Sequence, residues 1–443
     1  MMQHALRTRL RTVDPVLRTG RVRRIMSTHL EADGPNVPLG TLCDVDADSG
    51  GSLMRYPAEV VRINADSVIL SPLEDGRTTQ LGAVVRARRE AHRMAAGAGL
   101  LGRAVDALGR PADGKGEIRS TELVALQAAA PSPLTRCSPQ DVLETGLRAI
   151  DALLTLGKGQ RVGVFAAAGV GKTTLVADLA ENVKAEIVIL CLVGERGREV
   201  ESIWQGLHAE TRARSTLVAS TSDQPAAMRV RASHYALALA EYWRDRGKHV
   251  LLLLDSATRL AMAMREIGLA AGEPPTVRAY TPGVFAQLPK LVERCGALKA
   301  GGAISAIITV LSESDEVDDP VSELMKSLLD GHIVLSRALA EEGQFPAIDV
   351  CRSVSRQAET LMTPAHRGRS AQIVEWMTAH QSSRLLVDAG LYTKGANPKL
   401  DRAIEKHPDI VRFLKQPRRT RIDMTSALAA LSHLTEGDAP HAR

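Results

Sequence analysis

The residues Ala167-Ala168-Gly169-Val170-Gly171-Lys172-Thr173-Thr174 run through small side chains and two glycines into a lysine and two hydroxyls. Glycines let successive backbone N–H groups turn inward around an anion, and a following helix adds the positive end of its dipole. In such a loop Lys172 reaches the β- and γ-phosphates of a nucleotide, and the Thr173 hydroxyl ligates Mg²⁺. The eight-residue pattern usually opens on glycine, where this chain has Ala166. The flanks favour the phosphate reading, because an apolar strand over 161–166 runs into the loop and a helix over 175–183 runs out of it. The charge of Lys172 is expected to serve phosphates rather than packing.

Two further carboxylates stand where such a loop needs them. The apolar run 250–254 ends in Asp255, and a carboxylate just past a buried strand lies at the carboxyl edge of the sheet, where α/β folds place ligands. There Asp255 holds Mg²⁺ through water; the alternative is that it caps the helix beginning near Ala257. The run 187–193 ends in Gly194-Glu195-Arg196-Gly197-Arg198-Glu199. Hydrolysis needs a carboxylate to polarise water and a cation to absorb charge in the transition state. Glu195 and Arg196 are the candidates. Arg259 lies one helical turn past Asp255, and Arg356 closes a strand-like segment beginning at Ile348; a solvated surface cation is the alternative for each.

The elements that must position these residues follow from the apolar pattern. Runs at 161–166, 187–193, 216–219, 250–254 and 304–311 have the near-continuous apolarity of strands buried on both faces. Between them Met228, Ala232, Tyr235, Leu239 and Tyr242 form the stripe of an amphipathic helix. Alternating strands and helices predict a parallel sheet covered on both faces. Residues 21–87 differ: short alternating stretches (22–25, 41–45, 58–63, 67–70, 83–85), broken at Asp33-Gly34-Pro35, Ser49-Gly50-Gly51 and Asp75-Gly76, predict a small β-barrel. Helices are expected over 371–389, 399–406, 408–414 and 425–434. The fold class is α/β: a central phosphate-loop (RecA-like) parallel-sheet domain (96–370), an N-terminal β-barrel (21–95) and a C-terminal helical domain (371–435). A basic segment (1–20) precedes them and a disordered tail (436–443) follows.

Composition excludes some classes. Apolar residues at 44% provide a full core, and aromatics at 3% mean that aliphatic side chains build it. The net charge of +5 is modest and fits a solvated surface. The five cysteines form no Cys-x-x-Cys pair, as expected of reduced thiols in a cytosolic protein. No apolar run approaches the roughly 18 residues of a membrane span. The start of the chain has basic residues but no apolar segment after them, which argues against a secretory signal.

Together these blocks resemble the flagellar and type III secretion export ATPases, relatives of the catalytic subunits of rotary ATP synthases. The resemblance runs from about Gly20 to Leu434. It also includes Leu101-Gly102-Arg103-Ala104-Val105-Asp106, Thr221-Ser222-Asp223-Gln224-Pro225, Gly272-Glu273-Pro274-Pro275, Leu329-Asp330-Gly331-His332 and Pro346-Ala347-Ile348-Asp349. In that family alanine at position 166 is ordinary. The resemblance implies a Mg-dependent ATPase. Gly169, Val170, Gly171, Lys172, Thr173 and Thr174 would bind ATP, Thr173 and Asp255 would serve the metal, and Glu195 would be the catalytic carboxylate with Arg196 beside it. Arg356 would be an arginine finger given to a neighbour. Phe345 falls where relatives stack a tyrosine on adenine. Gln357-Ala358, Ala279 and Thr281 depart from the family pattern.

The resemblance further implies a homohexameric ring at the cytoplasmic side of a secretion apparatus, freeing substrates from chaperones and unfolding them. Identical subunits, a stalk regulator, an export gate and chaperone–substrate complexes are the implied partners. The basic start (His4, Arg7, Arg9, Arg11 and Arg18, against Asp14) is a candidate for peripheral contact with the inner membrane. The loop Ala-Ala-Gly-Val-Gly-Lys-Thr and the lead-in 144–151 favour the injectisome type, with a flagellar export ATPase as the alternative. A ring-shaped RNA translocase is disfavoured, because residues 21–87 offer Tyr56 as their one aromatic for stacking bases, and no nucleic acid is expected. A non-catalytic ring subunit is disfavoured by the presence of Glu195. A rotary ion-coupled subunit would require a second, paired subunit type.

Overall fold

The computed structural model describes residues 16–49, 52–74, 79–88, 92–119, 121–312 and 319–436. The basic stretch through residue 15, the tail from 437, Gly50-Gly51 and residues 75–78 lie outside them. Six antiparallel strands close the barrel: β1 (Thr19–Ile25), β2 (Leu30–Ala32), β3 (Leu42–Ser49), β4 (Ser52–Ile63), β5 (Val68–Pro72) and β6 (Val84–Ala87), in the order β1-β2-β5-β4-β3-β6. Alternate residues such as Val22, Val45, Tyr56, Val60, Leu70 and Val85 fill its interior. Closure leaves no unpaired edge. Leu30–Ala32 is a strand that the sequence pattern did not suggest, since three residues give too short an alternation to read.

The central sheet contains β7 (Arg103–Val105), β8 (Arg161–Ala166), β9 (Ile187–Val193), β10 (Ser215–Ser220), β11 (His249–Asp255), β12 (Ala303–Leu311), β13 (Gly331–Leu335) and β14 (Ile348–Ser355). Their order is β14-β13-β8-β12-β11-β9-β10-β7. All neighbouring pairs on this path are parallel except β13 with β14. Strand β9 shows why its apolar run has no alternation. Ile187, Ile189, Cys191 and Val193 belong to the core shared with the helices Ala226–Arg244 and Ala257–Ala270. Val188, Leu190 and Leu192 belong to the core on the other face, shared with the helix Lys172–Asn182 and the C-terminal helices. Each such side chain contributes about 1.5–3 kcal/mol on full burial.

Three helices end the described chain: Pro364–Asp388, Pro398–Leu414 and Met424–Thr435. The first begins earlier than the apolar pattern suggests, because Thr363 accepts a hydrogen bond from the His366 N–H and Pro364 occupies the first turn. The two helices expected over 399–406 and 408–414 are one. Asn397 caps it, and Leu400, Ala403, Ile410, Phe413 and Leu414 are buried on both sides of Pro408. Their burial outweighs the hydrogen bond that the proline removes. Among the described residues no helix is long and apolar enough to cross a membrane, and all five cysteines are free.

Candidate nucleotide site

Register aligns the carboxyl ends of the parallel strands. Ala166 lies opposite Leu311 and Leu335, and Asp255 lies opposite Leu192. The loop leaving β8 therefore opens at the same edge as Asp255 and the turn after Val193. Gly169 and Gly171 have φ of 82° and 99°, a left-handed geometry that other residues adopt at a cost. This curl lets the helix begin at Lys172 itself, three residues before the expected start, with Gly171 as its N-cap.

Lys172 is 9% exposed and lies between two carboxylates. Its Nζ donates to Asp255 Oδ1 at 2.5 Å and to Glu195 Oε1 at 3.2 Å. In this state the lysine is the counter-ion of a buried acidic pair, so its charge also serves the fold, contrary to the expectation from sequence. Thr309 Oγ1 donates to Asp255 Oδ1 at 2.6 Å. The other oxygen, Oδ2, is buried and has no hydrogen-bond partner among the described residues. Asp255 does not cap the next helix: Ser256 does, accepting from the Arg259 N–H.

Glu195 is 3% exposed. Its backbone is fixed because the Gly194 N–H donates to Ser220 O and the Ser222 N–H donates to Glu195 O. Burial pushes its carboxyl pKa up, Lys172 opposes the shift, and the nearby Asp255 adds to it; the net direction is upward. Arg259 Nε lies 3.1 Å from Glu195 Oε1. Its side chain packs over Gly194, where a Cβ would meet Arg259 Cδ at 3.0 Å. Arg196, the sequence neighbour, instead lies toward Glu199 at 3.9 Å with its side chain 66% exposed. Consecutive residues at a helix start point apart, so the arginine held against Glu195, beside Lys172, is Arg259. Its place one turn past Asp255 was the available signal.

Phe345 follows β13 and lines a cavity with Val170, Gly171, Thr174 and Pro346, beside the phosphate-loop helix. Arg356 stands elsewhere. Because β14 runs antiparallel to β13, Ser355 pairs with Gly331 at the amino edge of the sheet. There the Arg356 N–H donates to Asp330 O, and its guanidinium donates to Lys326 O at 3.4 Å. The structure thus brings Lys172, Glu195, Asp255 and Arg259 together and leaves Arg356 at the opposite edge.

A glycine-curled loop between a parallel strand and a helix, facing buried carboxylates at the strand ends, defines a phosphate-loop nucleotide-hydrolysing fold. The nucleotide-binding domain of the ATP synthase alpha/beta family matches residues 146–355, and the T3SS EscN ATPase C-terminal domain matches 362–433. The flagellum-specific ATP synthase of Bacillus subtilis is 42% identical over 95% of this chain and 96% of its own length. The type 3 secretion system ATPase of Xanthomonas euvesicatoria is 40% identical over 98% of each chain. The assembled ATPase EscN of the enteropathogenic E. coli type III secretion system superposes with a TM-score of 0.88 at 38% identity, covering 94% of this chain and 99% of that one. EscN has also been solved in complex with its central stalk EscO (TM-score 0.85, 37% identity, 94% and 99% covered). The chain belongs to the ATP synthase alpha/beta family, in its branch of flagellum-specific and type 3 secretion ATPases.

Proposed function

We propose that the chain hydrolyses Mg-ATP as one subunit of a homomeric ring that drives type III protein export. The observation that carries the catalytic part is the buried Lys172–Asp255–Glu195 cluster, with Asp255 Oδ2 left unpartnered. A buried carboxylate oxygen without a donor is costly, and a hydrated divalent cation supplies what it lacks. Thr173 and, through water, Asp255 would hold Mg²⁺, which when bound offsets charge on the β- and γ-phosphates. The donor set is all oxygen and fits a hard cation.

In this reading the triphosphate enters the loop 169–174 and draws Lys172 off the two carboxylates. Glu195, relieved of that ion pair, is free to accept a proton from the attacking water. Arg259 keeps its carboxylate aimed. Phe345 presents a ring face to adenine, and Arg356 reaches the γ-phosphate of a neighbouring subunit. The ring and a central stalk are supported by EscN, solved as an assembled ATPase and in complex with its stalk EscO, and in this reading the ring works at the cytoplasmic face of the secretion apparatus. Phosphate release from ATP should require Mg²⁺, disappear in EDTA and return on adding the metal. EDTA-insensitive hydrolysis would refute the metal assignment. The lead-in 144–151 and the phosphate loop favour an injectisome over a flagellum. Deleting the gene should therefore abolish secretion of effector proteins while leaving motility, and loss of motility alone would assign the chain to the flagellum.

A further inference from the structure

Strand β12 is apolar along its length except at Ser305 and Thr309. Ser305 lies near the amino end, where its hydroxyl accepts from the Gly159 N–H and meets His249 Nε2 at 2.9 Å, so it ties strand starts together. Thr309 lies near the carboxyl end, beside the phosphate loop. It pairs with Val164 of β8, as Asp255 pairs with Leu192 of β9, and both of those partners belong to the core under the phosphate-loop helix. Paired residues of a sheet share a face, so Thr309 and Asp255 project to the same side of it. Thr309 is 1% exposed, and among the described residues its hydroxyl makes one hydrogen bond, to Asp255 Oδ1 at 2.6 Å. The same oxygen receives Lys172 Nζ, whereas Oδ2 receives no donor. Both donors thus crowd one oxygen of a buried carboxylate and leave the other bare.

We infer, resting on the nucleotide site proposed above, that Thr309 is a positioning residue for the metal: its hydroxyl pins Asp255 Oδ1, so that Oδ2 is the oxygen left for a hydrated Mg²⁺. The terminal torsion of an aspartate is broad, and its carboxylate turns unless an oxygen is held. Lys172 does not hold it throughout, because in that reading the phosphates draw the lysine away. Thr309 stays. Its backbone is fixed in the middle of the sheet, and a β-branched side chain has few rotamers to choose from. A hydroxyl is also a neutral donor, so it orients the carboxylate without cancelling the charge that attracts the cation. Valine would suit the apolar run of β12 but has no proton to give. Groups that hydrogen-bond a metal-binding side chain from behind tune its affinity in this way.

The test uses the full chain with Thr309→Val, Thr309→Ala and Thr309→Ser, each shown to be folded by its melting curve. Binding of a fluorescent ATP analogue is measured in saturating Mg²⁺ and in EDTA, and the ratio of the two affinities reports how well the site holds the metal. Thr309→Val is expected to lower that ratio about tenfold. Thr309→Ala, which removes the hydroxyl by truncation, should do the same, while Thr309→Ser keeps the donor and should keep the ratio. A hydroxyl that only supports the fold would weaken binding equally in both conditions. An unchanged ratio in the valine and alanine variants, or a serine variant that loses the ratio as they do, would therefore overturn the assignment. On the unaltered chain, analogue binding indifferent to Mg²⁺ would instead overturn the metal site itself, and this role of Thr309 with it.

Discussion

At the scale of single residues, the site is an acidic pair held apart by one lysine. Lys172 neutralises Asp255 and Glu195 at 2.5 and 3.2 Å. In the function proposed above, nucleotide competes with two carboxylates for the same ammonium, which would tie activation of Glu195 to filling of the loop. Glu195→Gln keeps the size and the hydrogen bond from Lys172 but cannot take a proton. We expect it to bind Mg-ATP near normally and to lose at least ~100-fold in turnover, measured as phosphate release alongside binding of a fluorescent ATP analogue. Turnover near the unaltered rate would move the base role elsewhere, to Glu199 first. Arg259 deserves the same scrutiny as the lysine, because removing it leaves Glu195 buried with one fewer cation and a freer carboxylate.

At the scale of elements, sequence patterns that encode burial and the barrel are readable, and pairings between residues distant along the chain are not. The doubly buried strand Ile187–Val193 and the loop after Ala166 stood out because no polar residue interrupts the first and no other chemistry explains the second. The pairing of Arg259 with Glu195 is not legible in sequence because the two lie 64 residues apart along the chain and are brought together by the register of β9 against β11. Pro408 reads from sequence as the start of a second helix because local propensity gives no measure of the packing on either side of it. The segment after Glu273-Pro274-Pro275 carries a departure with a physical cost: Arg278 and Ala279 have φ of 52° and 58°. A left-handed non-glycine residue costs about 1–2 kcal/mol, partly offset by the lower backbone entropy of alanine in the unfolded chain. Ala279→Gly should therefore raise stability by about 0.5–1 kcal/mol, seen as a higher urea midpoint; a lower midpoint would show that the strain is not there. The helix Ala226–Arg244 makes a pH-dependent contribution. Burial, with the charges of Arg294 and Arg231, lowers the pKa of His234 from 6.5 to about 4, and Arg294 Nη1 points at His234 Nδ1 from 3.4 Å. The folded value is the lower one, so the unfolded chain binds the proton first as pH falls. This stability is present above about pH 6.5 and is lost as pH falls toward 4. His249, His332, His366 and His407 shift in the same direction. The melting temperature should fall between pH 7 and 5, and His234→Gln should make that fall shallower; an identical slope would exclude His234 from the effect.

At the scale of the whole molecule, the sheet separates the carboxylate cluster from the arginine proposed as a finger. The phosphate loop, Glu195 and Asp255 open at the carboxyl edge, whereas Arg356 leaves the sheet at the amino edge because β14 alone runs antiparallel on this path. No side-chain rotation carries a guanidinium across the length of the strand Gly331–Leu335, about 16 Å at the usual rise per residue. An arginine that serves the γ-phosphate from this position must serve a neighbour's, as it would in a ring whose subunits set the amino edge of one against the carboxyl edge of the next. A finger given in trans is worth about 10³-fold or more in turnover. Specific activity should therefore rise with protein concentration as subunits assemble. Arg356→Ala should bind ATP nearly normally and hydrolyse almost none. Mixing Arg356→Ala with Glu195→Gln should restore hydrolysis, because the first variant contributes an intact loop and base while the second contributes an intact finger. Glu195→Gln suits this mixture better than a change at Lys172, whose loss would leave Asp255 and Glu195 buried without their cation. Native mass spectrometry would establish that mixed rings form. If they form and activity stays absent, Arg356 acts within its own subunit or has no part in hydrolysis, and the geometry of β14 would need another explanation.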